Sequence, residues 1–156
     1  GNCKKGVAYA AATDATYSAA NWSHGAGSGD LYTSTDETAF DSDTTYLKNT
    51  TDAASAPGTA DRVGWTHGNM PAAAVTVKAV QRVLGVKQAA GSTATLKPFL
   101  TNLASANPPA FYDTSITNLS TNWVFRIQPK DLSPDGTAWT VTKFNALSGG
   151  VENFDL

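Results

Sequence analysis

The chain of 156 residues has one cysteine, one methionine and two histidines. A single Cys excludes an internal disulfide, so the fold must be held by its core, and at this length one domain buries enough surface to do that. Charge is scarce as well: Asp, Glu, Lys and Arg make up 15% of the residues, against the ~25% usual in soluble domains. The net charge of -2 leaves no basic excess, which argues against nucleic acid or an anionic membrane surface as a partner. No apolar run approaches the ~20 residues that a membrane-spanning helix needs, and no internal repeat is visible at a fixed period.

What the chain has instead is Thr and Ala, at 46 positions, with short apolar runs separated by Gly, Ser, Asp and Pro. β-branched and aromatic pieces between turn formers predict strands joined by loops, hence a mainly β domain. Residues 1–20 are Ala/Thr-rich without a regular apolar face, and are expected to form an arm or irregular segment, with Ala8–Ala12 irregular or a short strand. A single β-sandwich domain is expected over 21–156. Val63, Trp65 and His67 share one face of an expected strand. Residues 75–86 carry five Val in twelve positions, favouring strand over helix, and Ala94, Leu96, Pro98 and Leu100 read as the hairpin partner. Pro98 places that partner at a sheet edge or a bulge. Trp123, Phe125 and Ile127 alternate with Val124, Arg126 and Gln128 and predict a half-buried strand with the first three on its inner face. Near the end, Pro134-Asp-Gly is a turn, and Trp139, Lys143, Ala146 and Leu147 have the spacing of a short helix over 139–147, terminated by Gly149-Gly150. The expected core therefore contains Trp65, Trp123, Phe125 and Trp139.

Candidate chemistry is sparse. Asp36, Asp41 and Asp43 supply the oxygens that Ca²⁺ prefers, but without the Asp-rich loop and distal Glu of a calcium hand the solvated-loop reading is preferred. Cys3, His24 and His67 have no metal-ligand spacing. Cys3 near the terminus reads as an exposed thiol, with an inter-subunit disulfide as the functional alternative. Trp22, beside a Gly-rich loop, is the aromatic expected at the surface, where it would serve an interface or stack on a sugar. No residue pattern asks for a cofactor, and the chain is expected not to be an enzyme.

One ordered set of features resembles a known group. It comprises Trp22, the acidic run from Asp36 to Tyr46, the Val-rich strand and its partner over 75–100, and a closing Pro134-Asp-Gly-Thr-Ala-Trp139-Thr, Asn145-Ala-Leu147 and Gly150-Val151. Together these resemble small virion structural proteins of tailed bacteriophages. The resemblance implies a jelly-roll or lectin-like β-sandwich, assembled in many copies as a trimer or ring on the particle surface, as a capsid decoration, neck or tail component. It implies other virion proteins as partners, the virion as location after assembly in the host cytoplasm, and no catalytic residues. A carbohydrate-binding module or lectin-like host-recognition domain on the same fold is the alternative.

Overall fold

The computed structural model describes residues 8–17, 20–26, 29–34, 43–49, 61–70, 76–91, 94–101 and 113–154. The chain is mainly β. Its elements are β1 (Ala10–Thr13), β2 (Trp22–Ala26), a 3-10 turn (Leu31–Ser34), β3 (Tyr46–Asn49), β4 (Arg62–His67), β5 (Val80–Val86), β6 (Thr95–Thr101), β7 (Val124–Lys130), a short helix α1 (Val141–Asn145) and β8 (Ser148–Phe154). An antiparallel four-stranded sheet has the order β1-β4-β8-β6, and two-stranded ribbons β2-β3 and β5-β7 pack with it in a sandwich-like arrangement.

The register assigns the faces of the large sheet. Val63, Val151 and Pro98 lie in one row across β4, β8 and β6, and Trp65, Gly149 and Leu100 lie two residues along, so all six share a face. On that face Ala10, Val63, Trp65 and Val151 form one apolar cluster, joined by Trp22 and Leu47 from β2 and β3 and by Leu84 from β5. Leu100, Val77, Trp139 and Leu147 form a second, and Val86, Ile116 and Leu119 a third. On the other face Tyr17 covers Gly64, where a Cβ would collide with its ring, and meets the Phe99 ring at a tilt of 50° with 4.7 Å between centroids.

Several expectations change. Within the expected arm, residues 1–7 lie outside the described residues, but Ala10–Thr13 is a strand of the main sheet and Tyr17 is one of the most buried side chains. Of its alanines only Ala10 is buried, and Tyr17 provides the anchor that the Ala-rich pattern hid. Gly149-Gly150 does not end the helix; both glycines lie inside β8. A Cβ on Gly150 would fall on the Val63 carbonyl and at 2.5 Å from the Phe99 ring, so close strand packing requires glycine there. The helix is shorter than 139–147: Thr140 caps it, its Oγ1 accepting from Lys143 N at 3.1 Å, and Trp139 precedes it.

Strand partners also differ. β5 pairs with β7 and β6 with β8, so 75–86 and 94–100 do not form a hairpin. Alternation reports which side of a strand is buried and carries no information on its neighbour. Pro98 does sit on an edge strand of the large sheet. Leu96 exchanges hydrogen bonds outward with Ile116, and the Pro98 carbonyl accepts outward from Asp113 N, so the missing N–H falls on the outer side of β6.

Trp139 is buried at 4% exposure, and its indole N–H donates to the Lys130 carbonyl at 2.9 Å. Trp139→Ala is expected to lower unfolding free energy by about 3–5 kcal/mol, the range for truncating a buried Trp. Urea denaturation checks this; a loss below ~1 kcal/mol would remove Trp139 as the anchor of this corner.

Candidate functional site

The side chains of β5 and β7 divide by parity. Arg82, Gln128 and Lys130 face inward with Val80, Leu84, Val86 and Val124, and the register pairs Arg82 with Gln128. The buried Arg82 guanidinium lies where the ribbon meets the large sheet. Its Nη1 donates to the Phe99 carbonyl at 2.6 Å and, more weakly, to the Gly150 carbonyl at 3.4 Å. Its Nη2 donates to Gln128 Oε1 at 2.6 Å and to Asp113 Oδ2 at 2.8 Å. Asp113 in turn pairs with Lys130 through its other oxygen. Burial pushes the Arg82 pKa down to about 10, with the Asp113 charge opposing, and Arg82 stays a cation at neutral pH. Beside this network a cleft of about 220 Å³ is lined by Leu100, Asp113, Lys130, Leu132, Ser133 and Pro134. With both its oxygens engaged by cations, Asp113 serves as an electrostatic tie between ribbon and sheet. A second buried ion pair, Arg62 with Glu152, bridges β4 and β8 in register.

The opposite parity faces outward: Gln81 opposite Pro129, Val83 opposite Ile127 and Gly85 opposite Phe125. Val83 is 52% exposed, Ile127 60% and Phe125 50%. Phe125, expected in the core, is therefore a surface residue. The reason is phase: the inner side of β7 is taken by Gln128 and Lys130, which serve Arg82 and Asp113, and a strand with those residues inside must turn Phe125 and Ile127 outward. The result is an apolar stripe without a charged side chain among its six positions.

Trp123 also leaves the core. It lies just before β7, partly exposed, in a rim cluster that ties the two ribbons together. The Lys87 ammonium sits 4.8 Å from the Trp123 ring centroid and 5.5 Å from that of Tyr46 on β3. Those two rings meet edge to face at 6.0 Å. Asp43 pairs with Lys87 and accepts from Trp123 Nε1 at 3.1 Å, and these hydrogen bonds, that from Lys87 foremost, hold its carboxyl below the usual range. Of the acidic run, Asp36 and Asp41 lie outside the described residues, and so does Cys3. Among the described residues no group of three or more His, Cys, Asp or Glu gathers as metal ligands would. Trp65 and Trp139 are buried as expected. Trp22 is half-buried: its indole N–H donates to the Asp61 carbonyl at 2.9 Å, and its ring packs against the Val63 and Trp65 cluster.

His24 and His67 do not share a site. His24 on β2 bonds the Gly29 carbonyl at 2.9 Å. His67 on β4 lies 3.5 Å from the Leu147 carbonyl, and burial holds its pKa below the ordinary value against the raising effect of that carbonyl.

Sequence reasoning missed Arg82, Asp113 and Lys130. One signal for Arg82 was present: it shares strand parity with Val80, Leu84 and Val86, so a charge stood on an otherwise apolar side. Comparison of the chain with protein-family models, with curated proteins and with solved structures gave no match.

Two predictions follow from these groups. Arg82→Ala removes one of the two cations that hold the buried Asp113 and the donor that ties the ribbon to the Phe99 carbonyl, and is expected to cost about 3–5 kcal/mol in urea unfolding; a loss under ~1 kcal/mol would mean that the ribbon docks without it. His67 is neutral in the fold and has a depressed pKa, so its contribution is fully present above pH ~6.5 and is lost as pH falls toward the native value. Stability measured from about pH 7.5 to 5 should fall less steeply in His67→Gln than in the parent protein. Equal slopes would remove His67 as an acid-sensitive group.

Proposed function

We propose that the protein is a non-enzymatic structural component of a tailed-bacteriophage particle, present in many copies on the virion surface as a decoration, neck or tail protein. The observation that carries this reading is the outward stripe of Val83, Phe125 and Ile127, each at least half exposed on a paired-strand ribbon. Contiguous exposed apolar surface marks a place where another protein sits. The low charge of the chain agrees with a surface meant to be covered. The closing motif that carries the family resemblance also works as a packing unit, with Trp139, Leu147 and Leu100 in one cluster. On this reading the partners are copies of the chain and other virion proteins, and the location is the virion, assembled in the host cytoplasm.

A lectin-like role is the second reading. Its support is the rim cluster, where the partly exposed Trp123 and Tyr46 rings lie beside the exposed Asp43 carboxylate and the Lys87 ammonium. Aromatic faces with adjacent polar groups suit stacking on a sugar ring. This moves the aromatic platform from Trp22, whose ring packs on the core cluster, to Trp123.

Mass spectrometry of purified particles should find the protein at many copies per virion, and its absence from particles would overturn the structural reading. Glycan-array binding that Trp123→Ala abolishes, in a protein missing from particles, would establish the second reading instead.

A further inference from the structure

We propose that the cleft between β7 and residues 114–117 binds an acidic sugar, a uronic or sialic acid unit, whose carboxylate is held by Arg126 and whose hydroxyls meet Thr114, Ser115, Thr117 and the Gln128 amide. The proposal goes beyond both readings above and uses none of the rim-cluster residues.

The cleft measures about 290 Å³. Three consecutive residues of β7, Arg126, Ile127 and Gln128, line it, which puts it along the edge of that strand away from β5. Both walls are fixed. On one side Ile116 holds the 114–117 segment to β6, exchanging backbone hydrogen bonds with Leu96 at 2.7 and 3.1 Å. On the other, β7 is paired with β5 along its whole length. A site whose walls are already in place loses little conformational entropy when a ligand enters.

The polar chemistry of the cleft is one-sided. Among the described residues that line it, Arg126 brings a positive charge and no acidic side chain answers it. Among the described residues the Arg126 guanidinium enters no ion pair or hydrogen bond, and neither do the hydroxyls of Thr114, Ser115 and Thr117. Asp113, which precedes this segment, has both oxygens engaged by Arg82 and Lys130. Gln128 adds a donor: its Oε1 accepts from Arg82 Nε at 3.1 Å and from Nη2 at 2.6 Å, so the group left for a ligand is its NH₂. An excess of donors around one uncompensated cation calls for an oxyanion, and a guanidinium meets a planar carboxylate with two parallel hydrogen bonds.

Size and surroundings select the rest of the ligand. At about 290 Å³ the cleft lies at the small end of the ~300–1,000 Å³ range of ligand sites, which suits one small molecule better than a strand of peptide. Hydroxyl groups that donate and accept suit a ligand with hydroxyls of its own. Ile127, 60% exposed, offers an apolar wall to the C–H side of a sugar ring. The cleft beside Lys130 is a poorer anion site, because there Asp113 already pairs with the cation.

The test is an NMR titration of the full chain at neutral pH with D-glucuronate and with N-acetylneuraminate, against D-glucose, acetate and inorganic phosphate. At least one of the two sugar acids should shift the backbone amides of 114–117 and 126–128 with a Kd on the order of 1–10 mM, and each control should bind at least ~10-fold more weakly. Arg126→Gln should weaken binding of the sugar acid at least ~10-fold with unchanged melting temperature, and Arg126→Lys, which keeps the charge without the fork, should recover only part of it. Trp123→Ala should leave it unchanged. No shift with either acid up to ~50 mM would overturn the inference. Acetate or phosphate binding as well as the sugar acids would leave an adventitious anion site only and overturn it too. Binding lost in Trp123→Ala but kept in Arg126→Gln would place the sugar on the rim cluster instead. The virion reading fails separately: a protein abundant in particles that binds neither acid refutes the cleft alone, whereas sugar-acid binding lost in Arg126→Gln, in a protein absent from particles, refutes the virion role alone.

Discussion

The arrangement of this domain depends on the charge of Arg82, which is held away from water between two sheets. A buried guanidinium is tolerable only if most of its N–H groups find acceptors, and here they come from four places: the Phe99 carbonyl of β6, more weakly the Gly150 carbonyl of β8, the amide of Gln128 on β7, and the carboxylate of Asp113. Those partners set the phase of the β5-β7 ribbon. Once Arg82, Gln128 and Lys130 must face inward, every second residue must face outward, and the apolar stripe on the surface is the geometric consequence.

The same constraint explains the glycines of β8. The guanidinium reaches carbonyls at the paired positions Phe99 and Gly150, where β4, β8 and β6 run close together because Gly150 has no Cβ to strike Val63 or the Phe99 ring. Tyr17 seals the opposite face by lying over Gly64 and against Phe99. One polar tie and a few bare backbone positions thus set how the ribbon sits on the large sheet. The rim cluster of Lys87, Tyr46, Trp123 and Asp43 adds a second tie, between the two ribbons.

The proposed function draws on this layering. The inner side of the ribbon carries the polar ties and the outer side is left apolar and uncharged. On the proposed structural role, the buried ion pairs would serve to fix the shape of the presented surface rather than to add net stability.

The sequence by itself determined the secondary-structure class, the strand at 62–67, the restriction of Pro98 to an edge or a bulge, and the burial of Trp65 and Trp139. These are local properties: β-branched content, a missing N–H, and large apolar side chains in short periodic contexts. It did not determine the partner of any strand, because alternation is the same whichever neighbour a strand has. It misled at Phe125 and Trp123, where the apolar parity was read as the inner one, and at Gly149-Gly150, where a turn-forming pair proved to lie inside a closely packed strand. Only the tertiary structure decided which face of β7 is buried. That choice rests on contacts between residues far apart in the chain, Arg82 with Phe99, Asp113 and Gln128, and such pairing leaves no mark in the local pattern of any one segment.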